Sequence, residues 1–120
     1  MFLQILEKII NNNPKRNPLE VNQFQDKIVK FCKEVEKYRE FKHTEQNTFN
    51  HLVEEMGELA SQFVNRDKGR KEFDGNEFDN AIGDILIHLV CLANLRGLSV
   101  EQLIDQIIKE DSKRLLEKSN

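Results

Sequence analysis

The chain is predicted to be all-α, and three observations carry that prediction. Apolar residues recur every three or four positions over five segments, short stretches bearing helix start and stop residues separate them, and no segment alternates as a strand would. Four principal helices with short connections fit a four-helix-bundle-type domain with a short extra helix at the N-terminus. A chain of 120 residues holds one such domain, and its hydrophobic content of 38% is low for a core that closes alone. An oligomer is therefore expected.

Residues 1–18 are read as a short helix and linker, and 19–120 as the main domain. In the first part Phe2, Leu3, Ile5, Leu6, Ile9 and Ile10 form an amphipathic turn sequence that Asn11-Asn12-Asn13-Pro14 ends. This helix is expected to pack on the main body or on a partner subunit. Asn17 as cap, Pro18 at the first helical position and Glu20 three residues after the cap then open a long helix. Val21, Phe24, Ile28, Phe31, Cys32, Val35 and Tyr38 carry it to about Phe41. The polar run His43-Thr44-Glu45-Gln46-Asn47 is read as a break, and the next helix as Thr48 to Arg66 through Phe49, Leu52, Val53, Met56, Leu59, Ala60 and Phe63.

Between Asp67 and Gly75 the residues are mainly charged or glycine, which predicts a mobile loop. Asn76 is the expected cap of the following helix, with Asp79 at its third position and Phe78, Ile82, Ile85, Leu86, Leu89, Val90 and Leu92 on its apolar face. That helix should stop at Gly97. Ser99 with Gln102 is a capping-box candidate for the last helix, which runs through Val100, Leu103, Ile104, Ile107, Ile108, Leu115 and Leu116.

A net charge of −3 argues against a non-specific nucleic-acid binder. Cys32 and Cys91 stand far apart among apolar residues, so they read as reduced core cysteines. Glu7 and Lys8 interrupt the apolar N-terminus, which speaks against a secretory signal, and no apolar run is expected to approach the roughly twenty residues that cross a bilayer. The expectation is a soluble cytoplasmic protein with neither a membrane nor a nucleic-acid partner.

Two acid-bearing segments concentrate the chemistry: Leu52-Val53-Glu54-Glu55-Met56-Gly57-Glu58-Leu59-Ala60 and Asn80-Ala81-Ile82-Gly83-Asp84-Ile85-Leu86. Residues three or four apart share a helix face, so Glu54 and Glu55 neighbour Glu58, and Asn80 neighbours Asp84. Carboxylates crowded away from water take up protons or bind a cation, and hard oxygen donors favour magnesium or manganese. An acidic spacing alone is weak evidence, because 21 acids in 120 residues produce such spacings on solvated faces. Gly57 and Gly83 strengthen it: glycine costs a helix interior about 1 kcal/mol relative to alanine, and close approach of two helices at the acidic layer would offset that. His51, one turn before Glu55, and His88, one turn after Asp84, read as ligands, orienting residues or solvated residues, the last favoured because magnesium prefers oxygen. Lys109, Lys113 and Arg114 on the last helix suit phosphate oxygens, although cations near a helix C-terminus are favoured in any case.

From Phe24 to Arg114 the chain resembles the MazG-like nucleoside triphosphate pyrophosphohydrolases, on Glu54-Glu55-Met56-Gly57-Glu58-Leu59-Ala60 followed by Ile82-Gly83-Asp84-Ile85-Leu86. The resemblance implies an all-α enzyme that hydrolyses a (deoxy)nucleoside triphosphate between the α and β phosphates, often one that removes unwanted nucleotides. It also implies Glu55, Glu58 and Asp84 as ligands of Mg²⁺ or Mn²⁺, and Glu54 as a ligand or water-orienting base; Asn80, read from its own chemistry, offers a metal a carbonyl oxygen or is a polar residue of the helix surface. Lys109, Glu110, Lys113 and Arg114 partly match the family's C-terminal residues, and Lys109, Lys113 and Arg114 are the expected substrate contacts. One departure stands out. The glutamate usual three residues before the aspartate is Ala81 here, with Asn80 and then Glu77 before it.

Magnesium often keeps only one or two protein carboxylates, so Glu55, Glu58 and Asp84 would suffice. The assembly expected is a homodimer or homotetramer. The rival reading is a non-catalytic relative that keeps the helices as an interaction module. A di-iron bundle is disfavoured, since it wants a Glu-x-x-His motif on each of two helices and the chain has no such pair near its acids.

Overall fold

The computed structural model describes residues 18–119 together with Leu3, Gln4 and Glu7. Its helices are α1 (Pro18–Arg39), α2 (Glu45–Asp67), α3 (Gly75–Leu95) and α4 (Val100–Ser119), with no strand among the described residues. The protein is all-α. The Asn-Pro stop and the Asn17 cap lie outside the described residues, as does most of the expected N-terminal helix, of which Leu3, Gln4 and Glu7 are helical.

Several helix ends differ from the sequence reading, each for a local reason. α1 ends at Arg39, and Glu40 takes a left-handed φ of 52°, closing the helix without a glycine. α2 starts at Glu45 because Thr44 and Asn47 form a reciprocal capping box. Thr44 Oγ1 accepts from the Asn47 amide at 3.1 Å, and the Asn47 side chain accepts from the Thr44 amide at 2.9 Å. The polar run taken for a break is thus the first turn of the helix. α3 starts at Gly75 under Asp74, whose carboxylate accepts from the amides of Asn76 and Glu77, so Asp74 replaces Asn76 as cap. Gly97, at φ 71°, ends α3 as expected.

Internal contacts divide the chain into two compact units, Lys27–Gly97 and Met1–Asp26 with Leu98–Asn120. In the second, the Gln25 amide donates to the Leu98 carbonyl at 2.9 Å and accepts from the Val100 amide at 2.9 Å, tying α1 to the start of α4. Ser99 Oγ accepts from the Gln102 amide at 3.4 Å. In the Lys27–Gly97 unit α2 and α3 pack against each other. The buried apolar residues there are Ile28, Cys32, Leu52, Ala81, Val90 and Cys91, with the Thr48 side chain enclosed among them at 1% exposure.

The connection from α2 to α3 is pinned. Arg70 donates its amide to the Asn65 carbonyl at 2.8 Å, and Asp74 donates its amide to Gln62 Oε1 at 2.9 Å. Phe63, Phe73 and Phe78 stack pairwise at 5.2–5.3 Å, and the Arg66 guanidinium lies over the rings of Phe63 and Phe73. These ties account for an ordered turn where composition alone predicts a mobile loop.

α3 also corrects the reading of apolar runs, since this 21-residue helix, with a mean hydropathy of 1.3 over an 18-residue stretch, is long and apolar enough to cross a membrane. Asn80, Asp84, His88 and Asn94 break the run to the eye, but the Ile, Leu and Val residues around them outweigh them in the average. The helix packs along α2 and carries Asp84 at its middle.

Candidate functional site

Glu55 is the centre of the acid cluster. It sits on α2 between buried Leu52 and half-buried Leu59, so its side chain is drawn toward α3 and is only 13% exposed. Burial pushes its carboxyl above the usual range, Glu58 and then Asp84 push it further, and His51 and His88 oppose them. Three carboxylates from two helices therefore act on one small region. Glu58 and Asp84 are themselves exposed, which leaves the cluster open to solvent on one side.

A line of polar contacts runs beside these acids. His51 Nε2 lies 3.5 Å from Glu55 Oε1, and His51 Nδ1 lies 3.1 Å from His88 Nε2. His88 Nδ1 lies 2.6 Å from the carbonyl oxygen of Asp84. A carbonyl only accepts, so His88 carries a proton on Nδ1. With both rings neutral, His88 Nε2 accepts from His51 Nδ1, and one proton shared between His51 Nε2 and Glu55 Oε1 completes the chain. The two rings pack edge to face at 4.3 Å. The one-turn spacings His51–Glu55 and Asp84–His88 had brought both histidines into the sequence reading, which favoured solvated residues; what it did not reveal is that the two rings meet each other.

The other candidates are placed differently. Glu54 and Asn80 are exposed and make no hydrogen bond or ion pair among the described residues. Ala81 is buried at 7%, so the position that usually bears an acid is part of the α2–α3 packing. Glu77 accepts from Gln62 Nε2 at 2.9 Å and pairs with Lys71 at 3.8 Å. Gly57 and Gly83 do not mark close helix approach: a methyl group at either would meet nothing within 4 Å. Both face open space, because each lies on an exposed part of its helix. Lys109, Lys113 and Arg114 are exposed on α4, and Arg114 Nη1 donates to Asp111 at 3.4 Å.

The MazG nucleotide pyrophosphohydrolase domain profile matches residues 43–115, a span that holds the whole acid cluster. The chain belongs to this family. A protein of Bacillus subtilis (strain 168), the uncharacterized protein YpjD, is 40% identical over 67 residues, covering 52% of this chain and 60% of YpjD. No solved structure matches the chain significantly.

The donor set of this MazG domain suits the family's magnesium. Its donors are carboxylate oxygens, the ligand type that hard divalent cations take, and a cation among them would relieve the repulsion that raises Glu55. Glu55, Glu58 and Asp84 are the residues that would hold it.

Proposed function

We propose that this MazG domain hydrolyses (deoxy)nucleoside triphosphates at the α–β phosphoanhydride bond, giving nucleoside monophosphate and pyrophosphate, and serves to clear unwanted nucleotides. The observation that supports the reading is that Glu58 on the same helix and Asp84 on α3 both act on the carboxyl of Glu55, and that all three lie within the family's matched span.

Glu55, Glu58 and Asp84 would hold Mg²⁺ or Mn²⁺, with Asn80 adding a carbonyl oxygen, and the ion they hold would supply charge neutralisation at the phosphate oxygens. Glu54, solvent-facing and free of competing partners among the described residues, orients a water toward the α phosphorus and takes its proton as the new P–O bond forms and the bond to pyrophosphate breaks. His51 holds the Glu55 carboxylate and is itself held by His88. Lys109, Lys113 and Arg114 are proposed as phosphate contacts. The protein is proposed to be soluble and cytoplasmic, to act as a homodimer or homotetramer, and to take no nucleic-acid or membrane partner.

Product analysis with a panel of ribo- and deoxynucleoside triphosphates tests this. Monophosphate plus pyrophosphate, formed with Mg²⁺ or Mn²⁺ and absent with chelator, is the expected result. No turnover of any triphosphate would overturn it and favour a non-catalytic helical module, the reading to which buried Ala81 lends weight.

A further inference from the structure

Away from the acids, the Lys27–Gly97 unit contains a second group of metal-ligating side chains. The sulfurs of Cys32 on α1 and Cys91 on α3 and one ring nitrogen of His43, in the connection before α2, all lie within 4.8 Å of one another. Both cysteines are free and buried. We propose that Cys32, Cys91 and His43 form a binding site for a thiophilic divalent cation of the zinc class.

The geometry is near what such an ion requires. Zinc–sulfur bonds of about 2.3 Å in a tetrahedron put sulfurs about 3.8 Å apart, so small side-chain rotations bring the donors into place. His43 Nδ1 is buried and makes no hydrogen bond, an unsatisfied nitrogen where native interiors normally leave none. Glu36 Oε2 lies 3.5 Å from that nitrogen and accepts from the His43 amide at 2.7 Å, which fixes the carboxylate beside the ring. Phe41 packs its ring against the imidazole at 4.7 Å. Thr48, only 1% exposed, opposes the effect of burial on Cys91 and favours its thiolate, as the surroundings of a metal-bound sulfur do.

Without a cation the sulfurs stay thiols, because burial pushes Cys91 up to about 12 and raises Cys32 as well. Binding then releases the two thiol protons to solvent as two metal–sulfur bonds form. Two sulfurs and an imidazole select a softer ion than the oxygen donors of Glu55, Glu58 and Asp84, so the two sites take different metals.

The test is titration of reduced, tag-free protein with Co²⁺, followed by Zn²⁺. One equivalent of tetrahedral cobalt with a thiolate charge-transfer band, bleached by Zn²⁺, is expected, and E58Q should keep it. C32S/C91S should lose the band, and H43Q should weaken zinc binding at least about tenfold. Absence of the band from the wild-type protein overturns the proposal whether or not the variants fold, as does its survival in C32S/C91S.

Discussion

Glu55 shows how one carboxylate can record the presence of a site. An acid favoured in its protonated form by the folded state loses folded-state stability as pH rises from its unfolded value through its folded one. Metal-free protein should therefore lose stability across that interval, and E55Q should flatten the loss and melt a few degrees higher than wild type at neutral pH in chelator. Thermal melts at acidic and neutral pH check this; an E55Q protein less stable than wild type at neutral pH in chelator would contradict it. Added Mg²⁺ should raise the wild-type melting temperature, since binding to the folded state alone stabilises it, and leave E55Q unmoved. Ala81 gives the complementary case. A81E places an unpaired charge at a position only 7% exposed, which should cost about 1–3 kcal/mol in chelator and less with Mg²⁺ present, measured by denaturation in both conditions. At this scale the sequence made Glu55, Glu58 and Asp84 visible through their spacing. It hid the two histidine-containing arrangements, because His51 meets His88, and His43 meets Cys32 and Cys91, only across separate elements.

Helix existence was readable and helix ends were not, because ends depend on which of several competent side chains wins the cap. Thr44 won over later candidates because Asn47 could answer it, a box with asparagine in place of the expected glutamate or glutamine. T44A should lose about 1 kcal/mol of stability, seen as a lower denaturation midpoint with an unchanged slope. An unaltered midpoint would show that the box contributes nothing to α2. Asp74 likewise outcompetes Asn76 by accepting two amides at once. The glycines misled for a different reason. Gly57 and Gly83 interrupt apolar helices, which suggested close packing, but their Cα atoms face open space.

At the scale of the molecule, the Lys27–Gly97 unit presents a large apolar area on its own surface. Phe49, Val53 and Met56 on α2 and Ile82, Leu86 and Leu89 on α3 are all exposed, each trio at helical spacing. Exposed apolar faces of this kind suit association, and they are the surface that the proposed homodimer or homotetramer would cover. Light scattering coupled to size exclusion should give a dimer or tetramer, with M56E shifting it toward monomer; a wild-type monomer at micromolar concentration would contradict this reading. The central claim is that the acid cluster holds the cation on which triphosphate cleavage depends, and pyrophosphate release by wild type and E58Q tests it most directly. E58Q should melt close to wild type in chelator, bind Mg²⁺ weakly and release pyrophosphate about a hundredfold more slowly, whereas turnover equal to wild type would remove the cluster from the chemistry.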